Sequence, residues 1–542
     1  MAYNGYHKLR ALVVDDFDSF RMTVVTMLQS FGVEDIDTAE SGNDCLRWCL
    51  EKKYDLILCD YNLGRGKNGQ QVLEELRYRE ILDYKALFIL ISAESSRSII
   101  MSAYDYEPDA YLAKPITGKV LKQRCDRLLR QRDELTPIYV ALEKKQLDDA
   151  AQMLKQKILT GSRVSSLCQK RLGELYLQMQ QLDSAEQVYR QALETRTLDW
   201  AKVGMARVRF AMGQAGEAKE WLEETLRKNP LCMQAYDALV EILRAEGEHE
   251  RLAQVLKMAV EHSPMAILRQ ERLAKAASAI NDNLTSAQAY RQTVRLGTNS
   301  CHNKRDNHIN FGRATANLLK EADDVAADLC REAINVLEDL DSNFKQNDEQ
   351  SVQTLLVESQ ILVGQGNTKK AAEVMAKAEF HYQKLESITE LDTELDYAQS
   401  LSSNGETEKA NQLLQQLVKR FSGNQDALEK IDRLLEEPVS DSNRSKVSAV
   451  NREGISCYEM GQFKQAVSCF KNAKKLFPNH LGIQLNYIQA VEGELREFGY
   501  DSQLYHTAQV ALKRVKKRIA GDHPQYDRYL QLQDMIREIK ND

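Results

Sequence analysis

Five polar residues near the N-terminus each follow a short apolar run of the kind that forms a buried strand. They are Asp15 and Asp16 after KLRALVV, Asp60 after DLILC, Ser92 after ALFILI and Lys114 after AYLA. Three carboxylates at one place would repel one another unless a hard cation such as Mg²⁺ joined them. Such a cation would offset the charge of an incoming phosphoryl group, to which the lysine and the hydroxyl could also bind. The residue types therefore indicate phosphoryl chemistry at a magnesium site.

Alternating strands and helices would bring these five residues together. Amphipathic helical segments, the last at residues 117–133, alternate with strand-like runs at residues 8–14, 34–39, 55–59, 86–91 and 110–113. This alternation predicts an α/β, doubly wound, flavodoxin-like domain in which five parallel strands are covered by five helices. Right-handed crossovers place the carboxyl ends of all strands at one edge of the sheet, where ligands bind in this architecture.

Four motifs carry a resemblance to a known family. VVDD (13–16), LCDYN (58–62), SAE (92–94) and YLAKP (111–115) resemble the motifs of receiver domains in bacterial two-component response regulators. The resemblance covers about residues 7–133. It implies that Asp60 accepts a phosphoryl group from a histidine kinase or a phosphotransfer protein.

The resemblance also implies a set of Mg²⁺ ligands around Asp60. These are Asp15, Asp16, Asp60 and the backbone carbonyl of Asn62, with Asp16 binding the ion directly. The loop at residues 63–69 (LGRGKNG) departs from the family, because it lacks the usual Met-Pro and is about one residue longer. This departure concerns how a kinase docks and leaves the expected chemistry unchanged.

By the same resemblance, three further residues act on the phosphoryl group or respond to it. Lys114 pairs with the phosphoryl group, Ser92 is the switch hydroxyl and Tyr111 is the switch aromatic. The Lys114–Pro115 peptide bond is expected to be cis. The surface expected to respond is the strand-5 side of the receiver, at about residues 95–133.

The rest of the chain reads as helical repeats. Pro230 and Pro264 stand 34 residues apart and each ends a helical stretch, which is the period of a helical hairpin repeat. The pattern of small and aromatic residues resembles the tetratricopeptide repeat (TPR) strongly at residues 166–199 and 447–480. It is recognisable at residues 200–266 and degenerate in between. The small and aromatic residues are predicted to form the core of the array, so binding is expected on the surface between hairpins.

We expect three domains, joined without a flexible spacer. They are a receiver at residues 1–134, a TPR-like helical array at residues 136–437 and a TPR-containing block at residues 446–542. The last receiver helix is predicted to end near Asp133 and the next to begin with Thr136-Pro137, because threonine caps helices and proline suits a first turn. So short a junction predicts rigid docking of the receiver on the array.

Two polar stretches interrupt the repeats. Residues 297–310 are predicted to form a solvated loop, whose His302 and His308 lack the further spaced ligands that a metal site needs. Residues 438–445 are predicted to form a linker.

Composition narrows the class of protein. The chain has 542 residues, a formal net charge of −7 and ten cysteines, with neither a CxxC pair nor an apolar signal-peptide core. The sequence contains no run of about 20 apolar residues of the kind that spans a membrane. A cytoplasmic protein with reduced cysteines is therefore expected. It shows no GGDEF-, EAL- or HD-type signature, so no enzymatic activity is expected beyond its own phosphorylation and dephosphorylation.

The combined interpretation is a phosphorylation-controlled adaptor. Asp60 would receive the phosphoryl group with Mg²⁺ as cofactor, and the repeats would bind an unidentified protein partner. A homodimer through the receiver is also compatible with this interpretation. One alternative is a transcription-linked regulator whose basic helix, residues 513–518, contacts nucleic acid, although a solvated helix face is favoured there. Another is a solenoid that sequesters a kinase or assists a phosphatase.

Overall fold

The structure is a computed structural model that describes residues 3–93, 106–195, 198–321, 325–385, 390–516, 518–519 and 521–539. The helix expected between strands 4 and 5, Glu94 of the SAE motif and Lys517 of the basic run lie outside these residues. The chain divides into two compact units. The first comprises Met1–Ala276 and Gln288–Asn307, and the second Ala277–Ala287 and His308–Asp542.

The N-terminal part of the first unit is a five-stranded parallel sheet with the strand order β2-β1-β3-β4-β5. Its elements are β1 (Arg10–Val14), α1 (Asp18–Phe31), β2 (Asp35–Ala39), α2 (Gly42–Glu51), β3 (Leu56–Asp60), α3 (Gly69–Tyr78), β4 (Leu87–Ser92) and β5 (Ala110–Ala113). This is the predicted flavodoxin-like arrangement, and the five strands lie where the apolar runs placed them. The central strands β3 and β4 are buried along their whole length, as expected for strands covered on both faces.

A single helix, α4 (Gly118–Glu143), leads out of the sheet domain. The prediction that one helix ends near Asp133 and another begins at Thr136 is therefore wrong. Pro137 lies inside the helix, where it lacks the N–H that would bond to the carbonyl four residues earlier. The hydroxyl of Thr136 donates to the Arg132 carbonyl at 2.9 Å, so it bonds within the helix and does not cap a new one.

Side chains on both sides of this junction contact their neighbours. The Tyr84 and Tyr139 rings lie 5.5 Å apart between centroids. Arg132 Nη1 lies 3.2 Å from Asp55, and the Ser162 hydroxyl donates to Glu134 at 2.7 Å. The junction is thus a packed helix, consistent with the absence of a spacer in the sequence.

Helices make up the rest of the described chain. They are α5 (Leu147–Leu159), α6 (Ser165–Gln178), α7 (Leu182–Thr195), α8 (Asp199–Ala211), α9 (Ala215–Lys228), α10 (Met233–Ala245), α11 (His249–His262), α12 (Ile267–Ala279), α13 (Asn283–Gly297), α14 (Arg305–Glu321), α15 (Ala327–Glu338), α16 (Leu340–Asn343), α17 (Asp348–Gly364), α18 (Thr368–Tyr382), α19 (Leu391–Ser403), α20 (Thr407–Arg420), α21 (Gln425–Asp432), α22 (Asp441–Glu459), α23 (Phe463–Leu476), α24 (Leu481–Phe498), α25 (Ser502–Lys516) and α26 (Tyr526–Glu538). None of the described helices is long and apolar enough to cross a membrane.

Small residues let paired helices approach closely, as the repeat pattern predicted. Tyr189 of α7 is fully buried between Gly173 of α6 and Gly204 of α8. A Cβ at either glycine would overlap the Tyr189 ring. Gly454 of α22 stands in the same relation to Phe470 of α23. These residues are core, and they do not form a cofactor pocket.

Both polar stretches differ from the prediction. Residues 441–445 begin α22, and the preceding residues are held by the buried Asp432, whose carboxylate accepts from the amides of Val439 at 2.6 Å and Ser440 at 3.2 Å. In the other stretch, α14 begins at Arg305, and His302 and His308 are buried. Residues 298–304 do form a turn, as predicted, but Ser300 and His302 within it are buried, so the stretch is not solvated throughout. Residues 438–445 are held by Asp432 and begin a helix, so they are not a free linker.

Candidate functional site

The candidate site lies at the carboxyl ends of β1 and β3, which are neighbours in the sheet although β2 separates them in sequence. Such a change in strand order opens a crevice where ligands bind in doubly wound sheets. Asp15 and Asp16 follow β1, and Asp60 is the last residue of β3. One carboxylate oxygen from each of these three residues lies within 4.8 Å of the other two. The structure thus brings together the three carboxylates selected from the sequence.

Lys114, which follows β5, joins two of the carboxylates. Its Nζ lies 2.9 Å from Asp15 Oδ2 and 2.9 Å from Asp60 Oδ2. The ammonium also lies over the Phe20 ring of α1, 4.0 Å from its centroid, in a cation–π contact. Asp15 and Asp60 are buried, whereas Asp16 is exposed. One ammonium therefore faces three carboxylates, and one side of the cluster is open to solvent.

This cluster has the composition of a site for a hard divalent cation. Mg²⁺ prefers carboxylate and carbonyl oxygens and keeps several waters, which an open cluster permits. The carboxylates outnumber the positive group beside them, so a cation would relieve their repulsion. Asn62, the fourth predicted ligand, lies two residues beyond Asp60 and is exposed, and its side-chain oxygen accepts from the Gly64 amide at 3.3 Å. The residues present fit a bound Mg²⁺.

Burial and Lys114 shift the pKa of Asp60 in opposite directions. Burial, with a further contribution from the charge of Asp15, raises the pKa of Asp60 even though Lys114 opposes that rise. Burial alone would lower the pKa of Lys114, but its hydrogen bonds to Asp15 and Asp60 outweigh burial and raise it. Lys114 therefore stays protonated and supplies a fixed positive charge.

Arg21 holds the backbone at Asp15, a role that none of the four sequence motifs indicates. Its Nη1 donates to the Asp15 carbonyl at 2.6 Å, and its Nη2 lies within 3.1 Å of Asp18 and of Glu40. The Asp15 side chain in turn accepts from the Phe17 amide at 2.9 Å. Arg21 is 5% exposed. An arginine on the inward face of α1, one turn after the paired aspartates, is the signal that could have identified it.

Ser92 and Tyr111 lie on the neighbouring strands β4 and β5. Ser92 is buried at the end of β4, and its carbonyl accepts from the Lys114 amide at 2.7 Å. Tyr111 is half-buried against the core on one face of the sheet. The Lys114–Pro115 peptide bond is cis, as expected. Ser92 thus ends the strand next to β3, whereas Tyr111 lies on the outer strand β5.

The loop that follows Asp60 is held tightly where it returns to the sheet. The amide of Gly69, the first residue of α3, donates to the Tyr61 carbonyl at 2.8 Å. A Cβ on Gly69 would overlap the carbonyl of Asp60, so only glycine fits there. The start of α3 is therefore fixed against the backbone of Asp60 itself.

Comparisons with known proteins match the two parts of the chain separately. A family model described as the response regulator receiver domain matches residues 11–126, and two tetratricopeptide repeat models match residues 171–196 and 203–266. The receiver match spans Asp15, Asp60 and Lys114. The repeat matches fall on helices α6–α7 and α8–α11.

Two curated relatives each match less than a quarter of this chain. The chemotaxis protein CheY-3 of Vibrio cholerae serotype O1 is 28% identical over 123 residues, which are 23% of this chain and 93% of that protein. The chemotaxis protein CheY of Pseudomonas aeruginosa is 26% identical over 123 residues, 23% of this chain and 98% of its own length. Among solved structures, a BeF₃-activated DrrB receiver domain is 22% identical, with 22% of this chain and 97% of that chain covered and a TM-score of 0.20.

Proposed function

Because the chain carries a receiver domain at its N-terminus and tetratricopeptide repeats downstream, we propose that it is a response regulator with a protein-interaction output. Asp60 accepts a phosphoryl group from a histidine kinase or a phosphotransfer protein. The helical repeats bind a protein partner, and phosphorylation controls that binding. The observation that carries the proposal is the cluster of three carboxylates around one lysine at the β1–β3 crevice.

In the proposed reaction, a carboxylate oxygen of Asp60 attacks the phosphorus of the donor. A P–O bond forms to Asp60, and the bond from phosphorus to the donor nitrogen breaks. The leaving imidazole keeps that electron pair and takes a proton from solvent. The product on Asp60 is an acyl phosphate, which water later hydrolyses to restore the carboxylate.

Asp15, Asp16, Asp60 and the Asn62 carbonyl would hold Mg²⁺, which when bound neutralises negative charge on the phosphoryl oxygens. The protein's own contribution is the orientation of Asp60 and the fixed charge of Lys114. Arg21 holds the Asp15 carbonyl and thereby the acidic turn. The open side at Asp16 leaves room for a donor to approach.

Ser92 and Tyr111 are proposed as the groups that report phosphorylation. The hydroxyl of Ser92, at the end of the strand beside Asp60, would donate to a phosphoryl oxygen. Tyr111 would then turn inward and change the β5 side of the receiver. Both roles come from the resemblance, and the position of Ser92 at the end of the strand paired with β3 supports its role.

Labelling with a small phosphodonor tests the proposal. Full-length protein incubated with Mg²⁺ and acetyl phosphate should acquire one phosphoryl group, and Asp60→Asn should acquire none. Asp55→Asn is the matched control, because Asp55 lies one residue before β3, away from the strand's carboxyl end. Label that persists on Asp60→Asn, or an unlabelled wild type, would refute the assignment.

The output is tested by comparing proteins that co-purify with wild type and with Asp60→Asn. A protein partner whose recovery differs between the two supports control by phosphorylation. Identical recovery would contradict it. A salt-dependent shift on DNA would instead favour the nucleic-acid alternative.

A further inference from the structure

Helix α3 of the receiver carries polar side chains that are removed from solvent. Gln70, Glu74 and Glu75 are 7%, 3% and 3% exposed. A helix on the outside of a sheet normally keeps such residues in water, since only one stripe of it faces the core. Burial of three polar residues therefore means that another element covers the outer face of α3.

Glu74 is covered by residues 296–302, the end of α13 and the turn that follows it, which we term the clamp segment. Ser300 donates its hydroxyl hydrogen to Glu74 Oε2 at 2.9 Å, and His302 Nε2 lies 3.4 Å from Glu74 Oε1. The His302 ring meets Tyr78, the last residue of α3, edge to face, with centroids 5.2 Å apart. The clamp segment thus contacts α3 through a buried carboxylate and an aromatic pair.

The clamp segment also holds the loop at residues 61–68, which we term the β3–α3 loop. Asn299 donates its side-chain N–H to the Gly66 carbonyl at 3.0 Å, and Lys67 Nζ donates to the Asn299 carbonyl. Lys67 Nζ also pairs with Glu75 at 2.9 Å. At the start of α3, Gln71 Nε2 donates to the Leu296 carbonyl at 3.3 Å. Backbone and side chains of the loop are therefore pinned from outside the receiver.

The other end of the β3–α3 loop is part of the acidic site. It follows Asp60 directly and contains Asn62, and a Cβ on Gly64 would lie 3.2 Å from Asp16 Oδ2. Gly64 and Gly66 both have left-handed backbone conformations, with φ of +68° and +100°. Glycine loses more conformational freedom on ordering than other residues, so a loop with two of them is costly to order.

We propose that the clamp segment is a positioning element of the phosphorylation site: by pinning the β3–α3 loop it pre-orders the loop that carries Asn62. This inference rests on the proposed function and concerns how the repeat array regulates that site. Ligand groups that are ordered before binding give tighter binding, because less entropy is lost on association. The clamp segment therefore strengthens Mg²⁺ binding at Asp15, Asp16 and Asp60.

Such a coupling is reciprocal, since two binding equilibria that are linked affect each other by the same factor. If the clamp segment strengthens ligand binding at the acidic site, then ligand binding there tightens the clamp segment on the receiver. Phosphorylation is thereby transmitted to the repeats through the β3–α3 loop, a route distinct from the strand-5 side expected from the sequence.

The test uses the full-length chain and a double variant, Asn299→Ala with Ser300→Ala, which removes two contacts without altering the receiver. Asn335→Ala with Ser342→Ala is the matched control, because these exposed residues lie elsewhere in the array. Mg²⁺ affinity is measured by calorimetry, and amide hydrogen exchange of residues 61–69 is measured without Mg²⁺. We expect the clamp variant to bind Mg²⁺ about fivefold more weakly, at the lower end of typical couplings, and to exchange faster in the loop.

Two further variants distinguish loss of the clamp contact from a general loss of folded protein. Lys67→Met removes the loop's own contact to the clamp segment and should weaken Mg²⁺ binding in the same direction. Ser300→Thr alone keeps a hydroxyl and should behave as wild type. In the reverse experiment, Mg²⁺ with beryllofluoride, a phosphoryl mimic, should slow amide hydrogen exchange of the clamp segment, residues 296–302, in wild type but not in Asp60→Asn.

The possible results distinguish failure of the clamp inference from failure of the proposed function. Unchanged Mg²⁺ affinity and loop exchange in the clamp variants, with only a lower unfolding temperature, would show a purely structural contact and overturn the inference. If wild type itself binds no Mg²⁺ and acquires no label, the proposed function fails, and with it the site that the clamp is said to position. Weaker Mg²⁺ binding with faster loop exchange, in the clamp variants alone, supports the inference.

Discussion

Two buried aspartates, one in the receiver and one in the helical array, differ in how their charge is balanced. Asp396 of α19 is met by one arginine, with Arg313 Nε donating to Oδ1 at 3.0 Å and Nη2 to Oδ2 at 2.6 Å. The pairing is one carboxylate to one guanidinium. Asp60 shares one ammonium with Asp15, and Asp16 lies beside them.

Burial raises the pKa of both aspartates, so a pKa shift alone does not separate them. The two aspartates differ instead in the number of carboxylates per positive group, which is higher around Asp60. A balanced buried pair with a bidentate arginine is a structural device, whereas unneutralised charge at a sheet edge is retained at a cost in stability. The comparison indicates that surplus charge distinguishes the candidate site from a structural ion pair, and the predictions for Asp396, Lys114 and Asp16 test this difference.

The largest effect is expected for Asp396→Ala. It leaves Arg313 without its carboxylate in a mostly buried position, so the free energy of unfolding should fall by about 3 kcal/mol. Urea unfolding followed by circular dichroism measures the change. Glu338→Ala is the control, because Glu338 pairs with Lys370 at an exposed position and should cost less than about 1 kcal/mol. Equal losses in the two variants would contradict the comparison.

A second effect comes from His308, a buried titratable group that has an aromatic neighbour. Burial lowers the pKa of His308 to about 4 from 6.5, and its ring meets Phe344 edge to face at 5.1 Å. The unfolded state then binds the proton more tightly, so stability is full above pH 6.5 and falls as the pH drops towards 4. The loss should approach roughly 3 kcal/mol.

Urea unfolding at several pH values measures the His308 effect. His308→Gln should flatten this part of the profile, and His506→Gln, at an exposed position, should leave it unchanged. A wild-type profile that is flat between pH 6.5 and 4 would show that His308 keeps an ordinary pKa.

A third prediction removes the only ammonium that contacts Asp15 and Asp60 among the described residues. Lys114→Met should lower the free energy of unfolding by about 2 kcal/mol, because the carboxylates lose their counter-charge. Added Mg²⁺ should then raise the melting temperature of this variant more than that of wild type. Lys119→Met, at an exposed position of α4, is the control. An equal response to Mg²⁺ in the two proteins would show that Lys114 does not share these carboxylates with a cation, and no response in either would show that they hold none.

The smallest effect has the opposite sign. Asp16→Asn removes one of the mutually repelling carboxylates, so without added Mg²⁺ the free energy of unfolding should rise by up to about 1 kcal/mol. The same variant should lose the stabilisation that Mg²⁺ gives to wild type. Glu51→Gln, an exposed acid at the end of α2, should change neither quantity. A less stable Asp16→Asn would show that this carboxylate is structurally balanced after all.

The sequence predicts that Asp15, Asp16, Asp60 and Lys114 lie together because the determinants of their positions are local. Asp15, Asp60 and Ser92 each follow or end a run of β-branched residues and leucines. Parallel strands place the ends of such runs at one edge of the sheet, so no knowledge of long-range contacts is needed to predict that these residues meet. The repeat core is predictable for a similar reason, since Gly173 and Tyr189 keep a fixed spacing in one hairpin.

What the sequence does not reveal are contacts between distant segments. Glu74 accepts a hydrogen bond from Ser300, 226 residues away. The pattern of polar and apolar residues in α3 does not indicate that another segment covers its outer face. The polar residues of 297–310 therefore resembled a solvated loop. Pro137 was misleading for another reason: a proline next to threonine is typical of a helix start, but the same proline is tolerated within α4.

Because helix α4 is continuous, it constrains how a receiver domain from another protein could be joined to these repeats. Each residue inserted into a helix rotates everything beyond it by about 100° and advances it by about 1.5 Å. Seven residues nearly restore the rotation, but they displace the repeats by about 10 Å. Tyr139 would then leave Tyr84, and the turn at residues 296–302 would leave α3. Any graft of a foreign receiver onto these repeats must therefore match both the phase and the length of α4.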